Sequence, residues 1–354
     1  MAPGATSSRR SRRIYVGNVP VGGGAAVAIQ SMARRPTEDA ASVVEEIRKM
    51  TAAGASLVRV ALTRESEISA LKTIIAESPV PVIADVHYPL ELAVKALDAG
   101  VAGVRINPLF PADRTVEKKL ASVLRKTNSA VRVGVNAGTL KPGREVTLES
   151  LLNPLWETVN RLADDGVENI KISAKSSHID LNARLNRALA AGGDRPIHLG
   201  FTESGAGVQG TVRSVLALAP LLSESIGDTL RISLSGAPID EIRAAKSLLK
   251  AVGLRDEGVE IIACPMCGRT REDISGIARE LEETFEGCRV SLTVAVMGCE
   301  INGPGEASRC DLGIAAARNG WLLFSRGKIM ERCGPRKGPQ RLIEEVFKEE
   351  DSRK

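Results

Sequence analysis

The sequence predicts an α/β protein, a (β/α)8 TIM barrel followed by a smaller α/β domain. Three observations carry this reading. Short β-branched apolar runs alternate eight times with stretches whose apolar residues recur at three-to-four spacing. The alternation fills residues 24–252, close to the roughly 250 residues such barrels use. A stretch rich in glycine and charge, residues 253–260, then reads as a linker to residues 261–354, where all six cysteines lie.

Residues 1–23 read as an N-terminal tail and lead-in, with the basic run Arg9–Arg13 as a solvated, poorly ordered end. The expected strands are AVAIQSM (26–32), LVRVAL (57–62), VIADVH (82–87), GVRIN (103–107), VRVGVN (131–136), NIKISA (169–174), IHLGFT (197–202) and LRISLS (230–235), each followed by a helix. In the first helix Thr37 is placed to cap, Glu38 and Asp39 suit the positive end, and Gly54 stops the element. An open doubly wound sheet is the alternative, favoured only by GAGVQG, where Gly205, Gly207 and Gly210 satisfy G-x-G-x-x-G. The polar TES separates these glycines from their strand, so a βα loop, with or without phosphate, suits them better than a dinucleotide site. In the last part VEIIA is a strand and a helix starts near Arg271, capped by Thr270. Ile274, Ile277, Leu281 and Phe285 line its apolar face. The strand VSLTVAVM, two short strands and a final helix complete the domain.

Composition narrows the function. Hydrophobic residues make up 43% and charged residues 26%, ordinary for a globular protein. Aromatics are 3%, which argues against a stacking platform for nucleic acid, and a net charge of +5 is too mild to imply a polyanionic partner. No run approaches the ~18 apolar residues of a membrane span, and no apolar segment follows the basic tail as a secretory signal requires. The expected location is cytoplasmic, with no membrane or nucleic-acid partner. Close cysteine spacing in a chain of this size reads as metal or redox chemistry, not a disulfide framework.

Five strands carry a cation between apolar neighbours: Arg59, Arg105, Arg132, Lys171 and Arg231. Strand alternation turns each to the face opposite its flanks, and an unpaired charge there is costly. Each could pair with its own carboxylate, but acids on strands are few, Asp85 and Glu203 among them. A shared anion neutralises several cations at once, and guanidinium forks fit phosphate oxygens. The expected ligand is therefore a small diphosphate at the C-terminal mouth of the barrel. Gln30, Ser31, His87, Asn107, Asn136, Ser173 with Lys175, Thr202 with Glu203, and Ser233 collect at the same strand ends. His87, Asp85 and Glu203 are the candidates for proton transfer. His198, earlier in its strand, suits packing as well as function, and His178 suits a helix surface.

Cys264 and Cys267 form a C-x-x-C, and Cys299 lies between glycines in MGCEINGPGE. Zinc, an iron–sulfur cluster and a redox dithiol all remain open on spacing alone. Cys288, Cys310 and Cys333 read as non-ligands, although Cys310 is the one thiolate rival for a fourth position; the other local donor is Glu306.

Taken together, YVGNVPVGGGAAVAIQSM, ADVHY, RINP, GVNAGTL, HLGFTESG, IGDTLRISL, IIACPMCGRT and MGCEINGPGEA resemble the bacterial 4-hydroxy-3-methylbut-2-enyl diphosphate synthase family of the methylerythritol phosphate route to isoprenoids. The resemblance spans nearly the whole chain, and the length fits the family's two-domain form. It implies reductive ring opening and dehydroxylation of 2-C-methyl-D-erythritol 2,4-cyclodiphosphate. It implies a [4Fe-4S] cluster held by Cys264, Cys267, Cys299 and Glu306. It implies a substrate site of Arg59, His87, Arg105, Asn107, Arg132, Asn136, Lys175, Glu203, Arg231 and Ser233, with Glu203 first and His87 second for proton delivery. Flavodoxin or ferredoxin is the implied electron donor. The implied assembly is a homodimer in which the cluster domain of one subunit closes over the barrel of the other. One departure is DLGIAAARNGW after the NGPGEA motif, where the family is glycine-rich. Two rival readings are a nicotinamide-dependent barrel reductase using GAGVQG and a zinc module binding nucleic acid through its basic tail.

Overall fold

The computed structural model describes residues 9–353 apart from 111, 141, 142, 144, 301–304 and 306. The chain divides into two compact units, Met1–Arg255 and Asp256–Lys354.

The first unit opens with an antiparallel hairpin, β1 (Ile14–Val16) and β2 (Val19–Val21). Eight parallel strands follow: β3 (Ala28–Met32), β4 (Leu57–Ala61), β5 (Val82–Asp85), β6 (Gly103–Ile106), β7 (Ala130–Asn136), β8 (Ile170–Lys175), β9 (His198–Gly200) and β10 (Thr229–Arg231). Between and after them run α1 (Ala40–Ala52), α2 (Ile68–Glu77), α3 (Glu91–Asp98), α4 (Arg114–Thr127), α5 (Leu148–Asp164), α6 (Ile179–Ala191), α7 (Gly207–Ser223) and α8 (Pro238–Ala251). The sheet order β8-β7-β6-β5-β4-β3-β10-β9 is completed by a parallel bridge between Ile172 and Ile197. The sheet thus closes on itself, and the open-sheet alternative falls.

The strand pattern explains the closure. Val58, Val60, Val104, Ile106, Val131, Val133, Ile170 and Ile172 are buried against helix residues such as Ile47, Leu71, Leu97, Leu124 and Leu155. Alternation then sends Arg59, Arg105, Arg132 and Lys171 into the barrel interior. Burying the outward layer supplies the main driving force, at about 25 cal/mol per Å² of apolar surface.

Four expectations need correction here. Residues 14–21 are not lead-in but the hairpin, whose Ile14, Val16 and Val21 pack on Ala28, Leu57, Ile83 and Ala130 at the N-terminal end of the barrel. Gly17 makes the turn with φ +59, and a Cβ there would meet Pro81 at 2.9 Å. The basic run is anchored, not solvated throughout: Arg9 pairs with Asp228 at 3.4 Å, Arg12 with Asp194 at 2.7 Å, and the Ser11 hydroxyl donates to Asp228. Asp39, not Thr37, caps α1 by accepting from Ser42 N at 3.1 Å. The Thr37 hydroxyl is engaged by the Ala61 carbonyl at the end of β4. The last two barrel strands are short, because the chain leaves the sheet where the Ser204 hydroxyl ties its loop to the Ser233 carbonyl.

The second unit is a five-stranded sheet ordered β11 (Val259–Ala263), β12 (Leu292–Met297), β13 (Leu312–Ala317), β14 (Gly320–Ser325), β15 (Lys328–Cys333). The first three strands are parallel and the last two antiparallel. Helices α9 (Ile274–Thr284) and α10 (Gly338–Ser352) contribute Ile274, Leu281, Leu342 and Val346 to the core over Val294, Val296, Ile314 and Leu323. The sequence pattern gave one strand fewer after β12, since KIMERC is mostly exposed and lacks a clean apolar alternation. Strand β11 begins inside the stretch read as linker. Helix α9 starts at Ile274 with Asp273 as its cap, because the Thr270 hydroxyl accepts from Cys267 N at 2.9 Å instead.

Candidate active site

Strand register assembles the charges. Asp85 pairs with Arg105, Arg105 with Arg132, and Arg132 with Lys171 along four adjacent strands. The Asp85 carboxylate lies 3.4 Å from Arg59 Nε and 3.5 Å from Arg105 Nη1. Arg105 also reaches His87 Nε2 at 2.6 Å and donates to the Gly134 carbonyl at 3.2 Å. Burial alone would raise the Asp85 carboxyl. Arg59, the neighbouring His87, Arg105 and Arg132 outweigh it and hold the group far below the usual carboxylate range.

The balance of charge is one-sided. Arg59, Arg105, Arg132, Lys171, Lys175 and Arg231 face Asp85 and, on α8, Glu241. Arg231 pairs with Glu241 at 3.3 Å. Arg132 is 3% exposed, and its Nη1 is buried without a hydrogen-bond partner among the described residues. Burial first, then Arg59 and Arg105, push it well below the ordinary guanidinium range. Arginine does not give up its proton in proteins, so the push marks a charge in want of an anion. Burial and then Arg132 and Arg59 bring the Lys171 amine down to about 7. Lys175 is pushed well below its usual value by burial and the neighbouring arginines.

Most of the remaining candidates line the C-terminal strand ends. Asn107 is buried, donates to Thr139 Oγ1 at 3.2 Å and accepts from Leu109 N at 3.1 Å. Asn136 accepts from Gly138 N at 3.1 Å. Glu203 follows β9 in the left-handed region, φ +57, a conformation a non-glycine residue adopts only under constraint. Its Oε1 would lie 3.4 Å from a Cβ on Gly138, so the carboxylate rests against the loop after β7, beside Asn136. Ser233 is half-buried. Gly210 of the GAGVQG run is buried where a Cβ would meet the Gly205 carbonyl at 2.6 Å, so close loop packing accounts for it.

The sequence reading missed three groups. Glu241 accepts from Leu234 N at 3.0 Å and pairs with Arg34 at 2.7 Å, besides Arg231. Its part depends on how α8 lies across β10, which no local pattern reports. Gly134 and Gly200 make room for side chains: a Cβ on Gly134 would lie 2.4 Å from Ser173 Oγ, and one on Gly200 2.4 Å from Lys175 Nζ. Glycine inside a strand is the signal that would have pointed to them.

In the second unit the C-x-x-C and Cys299 leave the C-terminal ends of the neighbouring parallel strands β11 and β12. The loops are knit together: Gly298 N donates to Cys264 Sγ at 3.1 Å, and Arg271 N to the Gly298 carbonyl at 3.2 Å. A Cβ on Gly298 would meet Thr270 at 2.9 Å and Cys264 Sγ at 3.2 Å, so the loop is built for close approach to sulfur. Met266 sits at φ +56 between the two cysteines. Hydrogen bonds around Arg269 pull the Cys267 thiol below its ordinary value, whereas burial pushes Cys310 up. All three loop cysteines are free thiols. Among the described residues no three His, Cys, Asp or Glu converge on a single ion. Glu306 lies outside the described residues.

Two family models match the chain, that of the GcpE TIM-barrel domain over residues 11–246 and that of the GcpE protein C-terminal domain over residues 260–348. A protein of Parafrankia sp. (strain EAN1pec) named 4-hydroxy-3-methylbut-2-en-1-yl diphosphate synthase (flavodoxin) is 42% identical over 96% of this chain and 90% of its own length. Proteins of the same name from Geobacter sulfurreducens and Clostridium perfringens are 40% and 38% identical, each over 96% of this chain and 98% of theirs. Among solved structures, Burkholderia cenocepacia dihydropteroate synthase matches with a TM-score of 0.51 over 69% of this chain and 99% of its own, at 17% identity. That likeness speaks for the barrel fold alone.

Proposed function

The chain belongs to the GcpE family, whose relatives bear the name 4-hydroxy-3-methylbut-2-en-1-yl diphosphate synthase (flavodoxin), and on that premise we propose how its own residues carry the reaction. The enzyme reduces 2-C-methyl-D-erythritol 2,4-cyclodiphosphate to (E)-4-hydroxy-3-methylbut-2-enyl diphosphate. Two electrons and two protons enter, the ring opens, and one water leaves.

The supporting observation is the surplus of buried cations, above all Arg132 and Lys175, which form no ion pair with a carboxylate among the described residues. In our reading residues 24–252 hold the substrate. Arg59, Arg105, Arg132, Lys175 and Arg231 neutralise the diphosphate, and Asn107, Asn136 and Ser233 orient it by hydrogen bonds. Charge-assisted forks to phosphate are strong and directional. Glu203, held in its left-handed turn, delivers the proton to the departing hydroxyl. His87 is the second candidate, although its bond to Arg105 commits one ring nitrogen.

Residues 261–354 hold the redox group. A [4Fe-4S] cluster on Cys264, Cys267, Cys299 and Glu306 would supply electrons singly and a Lewis-acidic iron with an exchangeable carboxylate ligand. The protein's share is orientation, charge and exclusion of water. We extend the relatives' electron donor, flavodoxin, to this chain, and we propose a homodimer whose active site draws on both subunits. Among the described residues no helix is long and apolar enough to cross a membrane; the location we propose is cytoplasmic.

The test is anaerobic purification followed by iron, sulfide and zinc analysis and turnover of the cyclic diphosphate with reduced flavodoxin. Iron and sulfide in stoichiometric amounts with turnover support the reading. Stoichiometric zinc without iron sinks it.

A further inference from the structure

His198 stands apart from the residues assigned above, yet it is fully buried inside the barrel. Its Nε2 lies 3.2 Å from Lys175 Nζ and its Nδ1 2.8 Å from Thr229 Oγ1. The three residues come from adjacent strands β8, β9 and β10, and His198 and Thr229 are register partners. Gly200, two residues along β9, leaves the Lys175 amine room to lie over the strand, since a Cβ there would be 2.4 Å from Nζ.

We propose that His198 is a positioning residue: its Nε2 seats the Lys175 amine for the anionic substrate, and Thr229 fixes the imidazole tautomer that allows it. The inference rests on the reading of the barrel as the cyclic diphosphate site.

The argument is one of hydrogen-bond capacity. Burial, then Arg132 and Lys175, keep the imidazole neutral, well below its usual value. A neutral imidazole has one N–H and one lone pair. In its ammonium form the Lys175 amine can only donate, so Nε2 then accepts from it and the single N–H is on Nδ1, donating to Thr229 Oγ1. A leucine at 198 would leave the amine with no acceptor there. A charged group would add a cation, or cancel the charge meant for substrate. The groups around Lys175 are Arg132, Arg59, Arg231, Arg105 and His198, with Lys171 near His198 on the same strand as Lys175. None of these is an anion, and Asp85, the carboxylate of the same cation cluster, is engaged by Arg59 and Arg105. His198 is thus the neutral acceptor for the ammonium form of Lys175, the form an anionic substrate selects, and any proton the amine takes up as the anion binds comes from the buffer.

The test uses the full chain and calorimetric titration with 2-C-methyl-D-erythritol 2,4-cyclodiphosphate from roughly pH 6 to 9. We expect His198→Leu to weaken binding about 10-fold or more, the worth of a lost hydrogen bond to a charged group. Its alkaline fall-off should move to lower pH, because the ammonium has lost an acceptor. His198→Gln, which returns an amide oxygen near Nε2, should recover most of both effects. Thr229→Val should shift the fall-off in the same direction, and it carries the test if His198→Leu does not fold. A purely structural role would lower thermal stability and leave the fall-off in place. Wild type that fails to bind the compound overturns the barrel reading. Wild type that binds while both substituted forms match it in affinity and pH dependence overturns the positioning of Lys175 by His198.

Discussion

Asp85 and Arg105 are register partners on adjacent strands, and their charged ends meet 3.5 Å apart inside the barrel. The same carboxylate serves Arg59. Removing it by Asp85→Asn leaves two buried guanidiniums without it, and we expect a loss of about 3–5 kcal/mol in urea unfolding. The pH dependence follows from the depressed carboxyl. The stability it contributes is present in full above the unfolded value of about 3.9 and is lost as pH falls from there toward the folded value. Wild type should therefore lose stability more steeply below about pH 4 than Asp85→Asn does.

Arg132 presents the opposite case. It is buried with no ion-pair partner among the described residues, so Arg132→Met should leave the free protein equally stable or more stable by about 1–4 kcal/mol. The same substitution should abolish the rise in melting temperature that inorganic pyrophosphate gives wild type. An Arg132→Met protein that is destabilised and still stabilised by pyrophosphate would contradict the surplus-charge argument.

The proposed fourth cluster ligand, Glu306, can be tested by chemistry. Cys310 is buried among Ala295, Met297, Ala315 and Phe324, and Cys310→Ala should keep full iron and sulfide content. Its cost should be a small cavity, on the order of 1 kcal/mol. Glu306→Ala should impair cluster retention or turnover strongly. The reverse pattern in iron analysis would overturn the ligand assignment.

The proposed sharing of the active site between subunits makes a quantitative demand. Cys264→Ser and Lys175→Met should each abolish turnover alone. Co-expressed, they should recover about a quarter of wild-type activity, since half the dimers are mixed and each mixed dimer keeps one intact pairing. No recovery in verified mixed dimers would place both halves of a site on one subunit.

How much of this was legible beforehand follows from physical range. The barrel was readable because period-two apolar runs such as V-R-V and I-K-I declare both a strand and an odd residue on its hidden face. Their burial beside one another was not, since register among Asp85, Arg105, Arg132 and Lys171 is set by closure of the whole sheet. The caps at Asp39 and Asp273 were missed for a different reason. Thr37 and Thr270 have the right chemistry, but other partners engage their hydroxyls: the remote Ala61 carbonyl in one case, and Cys267 N in the preceding cysteine loop in the other. Glu241 escaped notice because a helix acid pairs outward or inward according to packing alone. The hairpin at 14–21 was hidden by its brevity: two three-residue strands give almost no periodicity, although Gly17-Asn18 marks the turn.

That hairpin has a consequence for traffic. With Ile14, Val16 and Val21 seated against the first residues of the barrel strands, the cylinder is a cup with a floor. With the substrate in the barrel, as proposed, entry and exit fall to the opposite rim, where Glu203 and Asn136 stand. On that reading the expelled water and the linear diphosphate depart by the route the cyclic compound took, so a new substrate waits for the old product to clear. Product lingering on the cations should slow each cycle, and added linear diphosphate should compete with the cyclic compound for the same opening.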